Sequence, residues 1–405
     1  MQPRARPGDL PADAPMRAAQ PLRPLPSIPV LTDPLRRAPG RAARSPFPDK
    51  MAHPFARRPT LDPNMTATFS PRNPIHCEID LDAPGKHAGY LRLPHSVHRS
   101  AYGWLPIPIA SIRNGDGPVA LVMAGNHGDE YEGQIVVSQL MREIEPEMVN
   151  GQLILLPMAN FPAAAAGLRV SPLDEGNLNR SFPGDPAGTP TQMIAHYIEH
   201  ALLSRAQYLV DLHSGGSSLL YHGGNMLAID PLDADEAARL NGLLAAFGLP
   251  NALLHAPNPV HSASAARRQG AISIVTELGG AGMADPALIR LGRHGLLHYL
   301  GYIGLLRGAL VPDAPPAVTR FMRVDGDRHF VYAYEQGLYE PLVELGDQVR
   351  AGQPAAWVHF PDTPLREPVL HRFAGDGEVV CKRVPAQVRR GDCLFQLAEP
   401  TAAPA

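Results

Sequence analysis

An apolar run, Val119-Ala120-Leu121-Val122-Met123-Ala124, passes directly into Gly125-Asn126-His127-Gly128-Asp129-Glu130. A run of that length, ended by glycine, predicts a buried strand of a parallel sheet, which puts His127 and Glu130 on the loop at its carboxyl end. Open α/β sheets bind ligands there. Two residues separate the imidazole from the carboxylate, so one tight turn can aim both at a single point, and such a pair can hold Zn²⁺. The same spacing suits a solvated loop whose histidine caps the next helix. Only further ligands elsewhere in the chain can decide between the two.

At 405 residues the chain has room for two or three domains, and 44% hydrophobic residues suffice for a real core. Lys+Arg 36 against Asp+Glu 39 leaves a net charge of −3, which argues against a nucleic-acid partner. Cys77, Cys381 and Cys393 are too few and too scattered for a disulfide framework or a thiolate metal site, so a reducing compartment, the cytoplasm, is expected. No apolar stretch has the length of a membrane span, and no secretory signal core is present, so no membrane partner is expected.

Residues 1–70 are crowded with Pro, Arg and Ala and read as a disordered extension. Met65 stands just before the first ordered-looking sequence, so a chain begun there is expected to melt and turn over like the full chain. A clear fall in melting temperature or activity would show that the extension docks.

Residues 71–317 read as a catalytic domain and 318–398 as a small all-β module, with 399–405 as a tail. In the first, Ile75–Ile112 holds entry strands, Gln134–Ile144 has helical spacing, and Leu153–Leu156 is a second buried strand. Thr189-Pro190-Thr191-Gln192 is a capping box that opens a helix to about Ser204. Tyr208–Leu212 is a strand ending in His213, and Ile272–Thr276 a strand ending in Glu277, with a helix over Leu288–Leu306. This alternation predicts an α/β fold with a parallel-rich sheet flanked by helices. The β module carries two similar signatures, Val343–Val349 and Val388–Leu394, each with a Gly-Asp turn. It resembles a barrel-sandwich hybrid, without a lysine at a hairpin tip.

Four groups therefore meet at strand ends or nearby loops: His127, Glu130, His213 and Glu277. Two His and one Glu are a catalytic zinc set that keeps a position open, and an unligated carboxylate is what hydrolysis then needs to move protons. Asp211, two residues before His213, projects to the same side and can fix the tautomer of that imidazole, a structural carboxylate being the equal alternative. His222, His255, His261 and His294 have no comparable setting and read as surface or packing residues. The polar loop from Arg169 to Gly184 holds Asn177, Asn179 and Arg180; an arginine fork there can bind a substrate carboxylate, and another can stabilise an oxyanion.

His127-Gly128-Asp129-Glu130, Asn177-Leu178-Asn179-Arg180, Asp211-Leu212-His213-Ser214 and Thr276-Glu277-Leu278-Gly279 resemble, in that order, the motifs of the succinylglutamate desuccinylase and aspartoacylase family, relatives of the zinc carboxypeptidases. The resemblance runs from about Arg72 to Leu397. Gly89-Tyr90-Leu91-Arg92, Ser100-Ala101-Tyr102-Gly103 and the Asn177–Gly184 stretch look most like the branch that deacetylates N2-acetyl-L-2,4-diaminobutanoate in ectoine breakdown. It implies one zinc per chain on His127, Glu130 and His213, with Glu277 as general base, Asn179 and Arg180 on the substrate α-carboxylate, and Arg169 polarising the scissile carbonyl. Arg169 lies farther ahead of Arg180 than in aspartoacylases. It further implies a small N-acyl amino acid as partner, another such acid such as N-acetyl-aspartate or N-succinyl-glutamate being the alternative. A non-catalytic metal-binding relative is a third reading. A tyrosine from the β module is expected in the site, with Tyr332, Tyr334 and Tyr339 all eligible, and a homo-oligomer is allowed.

Overall fold

All six residues of Gly151–Leu156 are buried, and so are five of the six in Val119–Ala124. Strands closed off on both faces need helices on both sides, and the computed structural model, which describes residues 72–404, has them. In chain order the first part comprises β1 (His76–Cys77), β2 (Gly85–Pro94), β3 (Trp104–Asn114), β4 (Val119–Ala124), α1 (Tyr131–Glu143), β5 (Gly151–Leu156), α2 (Phe161–Ala166), α3 (Pro190–Tyr197) and β6 (Tyr208–His213). There follow β7 (Leu219–Ile229), α4 (Ala234–Phe247), β8 (Asn251–His255), α5 (Ser262–Arg268), β9 (Ile272–Gly280) and α6 (Pro286–Tyr302). The remaining strands are β10 (Arg320–Arg323), β11 (Phe330–Tyr332), β12 (Gly337–Pro341), β13 (Gln348–Val349), β14 (Pro354–His359), β15 (Val369–Arg372), β16 (Gly377–Arg383), β17 (Gln387–Val388) and β18 (Cys393–Pro400).

The sheet runs β1-β2-β3-β5-β4-β6-β9-β7-β8-β10-β18-β16-β13. Its centre, β5-β4-β6-β9, is parallel throughout. Alternate residues of β4 serve the two faces: Ala120, Val122 and Ala124 pack with Val136 and Leu140 of α1 and Leu296 and Leu300 of α6, while Leu121 and Met123 pack with Ile194 of α3 and Ala265 of α5. A third apolar cluster, including Tyr339, Val358, Phe373 and Phe395, is built from residues 331–397. Those residues are also tied to the main sheet, because β10 pairs with β8 and β16 pairs with β7. The pairings β7–β8–β10–β18–β16–β7 thus form a closed circuit.

Several elements differ from what periodicity predicts. The helix opened by the Thr189 capping box is α-helical only to Tyr197, then widens into a π-helical turn over Ile198–Leu202 and tightens over Leu203–Arg205. The helix expected from Leu288 begins at Pro286, where Asp285 accepts from the backbone N–H of Ala287 and Leu288. Glu277 was expected at a strand end, but β9 continues to Gly280, since β7 pairs antiparallel with it, Asn225 facing Glu277 and Leu220 facing Gly280. The 1–70 extension and Met65 lie outside the described residues. Among the described residues no helix is long and apolar enough to cross a membrane.

Candidate active site

Register brings the predicted residues together. In the paired strands β4, β6 and β9, Ala124 is opposite Leu212 and His213 is opposite Glu277, so the loop after β4 and two neighbouring strands deliver their side chains to one place. Gly128 lets that loop lie against α2: a Cβ there would stand 2.1 Å from the carbonyl carbon and oxygen of Ala163, and the Gly128 N–H donates to Leu168 O at 2.8 Å. Gly128→Ala is therefore expected to cost about 1–3 kcal/mol by overpacking. A thermal melt should show Tm lower by several degrees, at about 2–4 °C per kcal/mol. An unchanged Tm would mean that the loop has slack.

His127, Glu130 and His213 are all buried, and their ligand atoms lie within 4.8 Å of one another. Nδ1 of His127 is 2.7 Å from Glu130 Oε1, and Nδ1 of His213 is 2.8 Å from Glu130 Oε2. The far nitrogens are also engaged. His127 Nε2 lies 3.1 Å from Asn177 Oδ1, and His213 Nε2 3.0 Å from Asp211 Oδ2. Asp211 Oδ2 in turn accepts from Asn126 Nδ2 at 3.0 Å and Ser262 Oγ at 2.6 Å. Oxygens at both Nε2 atoms fix the proton there and leave lone pairs on both Nδ1 atoms, facing carboxylate oxygens. Acceptors converging on one point need a cation between them, and two imidazoles with one carboxylate form a set that can hold a metal.

A proton on His213 can serve as that cation, and the surrounding charges favour it. Burial would raise the Glu130 carboxyl, but His127 and His213 outweigh it and hold the group far below the usual carboxylate range. Burial would lower His213; Asp211 and Glu130 outweigh it and raise the imidazole well above its ordinary value. At His127 burial prevails over Glu130 and the shift is downward. Glu277 is pushed well up by burial and by the nearby Glu130 charge.

These groups open onto a cavity of about 470 Å³. Arg169, Asn179, Arg180 and Glu277 line it with the three ligand candidates, so the residues expected as ligands, base, carboxylate binders and carbonyl partner are brought together there. Arg169 Nη1 is 3.3 Å from Glu130 Oε1. Asn179 Oδ1 accepts from the Ser262 N–H at 2.9 Å, and its amide nitrogen has no acceptor among the described residues. Arg180 bonds only to Asn179 O, at 2.8 Å, among the described residues. Burial and Arg169 push its pKa down, a pairing of cations that an incoming anion would relieve.

Two expectations need correction. Tyr332, Tyr334 and Tyr339 do not line the cavity: Tyr332 stacks on Phe330, Tyr334 on His371, and Tyr339 is buried against Phe395. The tyrosine that does is Tyr221, from β7. Nor are His255 and His261 ordinary packing residues, since both line the cavity. Gln396 and Phe330 were missed as well. Tyr221 on β7, His255 on β8, Phe330 on β11 and Gln396 on β18 lie outside the motif-bearing loops and are placed by strand pairing, while His261 stands at the start of α5.

Residues 116–303 match the Succinylglutamate desuccinylase/Aspartoacylase catalytic domain. The chain is similar to the N-alpha-acetyl-L-2,4-diaminobutyric acid deacetylase of Halomonas elongata, 38% identical over 81% of this chain and 95% of that protein. Among solved structures it is similar to a succinylglutamate desuccinylase/aspartoacylase from Rhodobacter sphaeroides, with TM-score 0.76 and 37% identity over 81% of this chain and 100% of that one. It is likewise similar to the product-bound ectoine utilization protein EutE (DoeB) from Ruegeria pomeroyi, with TM-score 0.76 and 36% identity over 81% of this chain and 99% of that one. With the motifs, the site and near-full-length likeness in agreement, the chain belongs to the succinylglutamate desuccinylase/aspartoacylase family.

Proposed function

We propose that this protein is a zinc-dependent deacetylase that hydrolyses N2-acetyl-L-2,4-diaminobutanoate to acetate and L-2,4-diaminobutanoate, as in ectoine breakdown. The observation that carries it is one cavity holding both a His-Glu-His set with converging acceptors and an arginine lacking a carboxylate partner among the described residues. His127, Glu130 and His213 would hold one zinc, which when bound supplies Lewis acidity for amide hydrolysis. Asp211 and Asn177 orient the two imidazoles. The Glu277 carboxylate takes a proton from the attacking water and returns it to the α-nitrogen as the acyl carbon–nitrogen bond breaks. Asn179 and Arg180 bind the α-carboxylate, and Arg169 stabilises negative charge developing on the carbonyl oxygen.

The names of the relatives support the acetylated diamino acid over N-acetyl-aspartate or N-succinyl-glutamate. The same reading makes 71–317 a zinc carboxypeptidase-like domain and 318–398 a barrel-sandwich-like module, in a cytoplasmic enzyme whose three cysteines are free. Its test is metal analysis of the purified protein with rates on those three substrates. Loss of zinc-dependent turnover on all of them would overturn it.

Arg180→Lys probes carboxylate binding. A guanidinium makes two charge-assisted bonds in fixed geometry, which an ammonium does not reproduce. Each such bond contributes roughly 1.5–3 kcal/mol, so kcat/KM should fall by about one to two orders of magnitude. The substrate methyl ester should be poor by a similar factor with the wild type, and the two losses should not add. Additive losses would transfer the carboxylate to Arg169.

A further inference from the structure

The cavity of about 470 Å³ extends past the ligand set, and the lining of that extension is specific. Leu227 of β7 is directly opposite Val275 of β9 on one side and Leu253 of β8 on the other, and all three face the cavity. Adjacent strands lie ~4.8 Å apart, so this aliphatic floor spans about 10 Å. It begins beside the carboxylate-binding residues: Asn179 bonds to Ser262, and the next residue, Ala263, packs with Val275 and Leu227. It ends at His255, two residues beyond Leu253 and so on the same face of β8.

His255 Nδ1 is 2.8 Å from the carbonyl oxygen of Ala256. A carbonyl only accepts, so Nδ1 carries the proton and Nε2 keeps a lone pair. Burial lowers the pKa of this imidazole and favours that neutral form. The carboxylates lining the cavity are Glu130 and Glu277, both assigned to the reacting end. A carboxylate at the far end would meet a lone pair, whereas an ammonium would find an acceptor.

We propose that the cavity takes N2-acetyl-α,ω-diamino acids longer than diaminobutanoate, their methylenes lying across Val275, Leu227 and Leu253 and their terminal ammonium donating to His255 Nε2. The proposal rests on the deacetylase reading and makes His255 the residue that recognises the side chain.

The test is kcat/KM of zinc-loaded enzyme on N2-acetyl derivatives of diaminobutanoate, ornithine, lysine and norleucine, the last having the lysine chain without its amine. The ornithine and lysine derivatives should fall within about tenfold of the diaminobutanoate one. Norleucine should lie roughly 10- to 100-fold below lysine, the fold-change of one hydrogen bond to a charged group. His255→Leu should close that gap, and His255→Gln, which keeps an acceptor, should largely retain it. If diaminobutanoate is released while ornithine and lysine are more than 100-fold slower, the floor does not hold the side chain. An unchanged lysine-to-norleucine gap in His255→Leu would remove His255 as the acceptor. Failure on all four substrates would instead overturn the deacetylase reading and the proposal with it.

Discussion

His213→Ala is expected to lose both the metal and the activity. The variant removes one of two imidazoles from a three-ligand set, and a site left with His127 and Glu130 cannot keep a structural-grade affinity. Loss of an orienting partner alone typically costs about 10–100-fold in metal affinity, and loss of a ligand should exceed that. Metal analysis after dialysis should read about one zinc per chain for the wild type and almost none for the variant. The fold should survive, because Asp211 retains Asn126 and Ser262 as donors and β6 keeps its pairing with β4 and β9. Full zinc occupancy in the variant would remove His213 from the ligand set.

Glu277→Gln should do the reverse, holding zinc and Tm while turnover falls by about 10²- to 10⁴-fold, the usual contribution of a positioned acid–base. The amide is isosteric and the backbone of residue 277 stays paired with Asn225. Burial and the Glu130 charge raise the Glu277 carboxyl, and a bound zinc would lower it. The wild-type kcat/KM profile should lose activity on its acid side as this carboxylate is protonated, and the variant should lack that limb. Near-normal rates in Glu277→Gln would exclude it as the base.

What the chain announced and what it concealed follow from how each residue is placed. His127 and Glu130 follow a continuous hydrophobic run and His213 ends a buried strand broken only by Asp211, so strand, loop and candidate ligand could be read in one pass. Asn179 and Arg180 were legible because their loop is polar and punctuated by glycine and proline. Tyr221, His255 and Gln396 were not, because each depends on a long-range pairing. The Tyr221 strand changes register between Leu220 and Gly224, which masks its alternation, and the cavity acquires Gln396 only through β18. The tyrosines nearest to the expected module lost out to one from β7, since Tyr339 is needed in the apolar cluster around Phe395.

The closed circuit of β7, β8, β10, β18 and β16 has a consequence in time. Cys381 is in register with Tyr221, a partner made much earlier in synthesis, whereas β4 pairs with β5 and β6, both complete by His213. Chains grow at about 5–20 residues per second and domains tend to form from the amino-terminal side, while pairings between distant segments close slowly. His127, Glu130 and His213 can therefore be brought together on the ribosome before the wall carrying Gln396 exists. A complete cavity wall should be the last feature that a newly made molecule acquires.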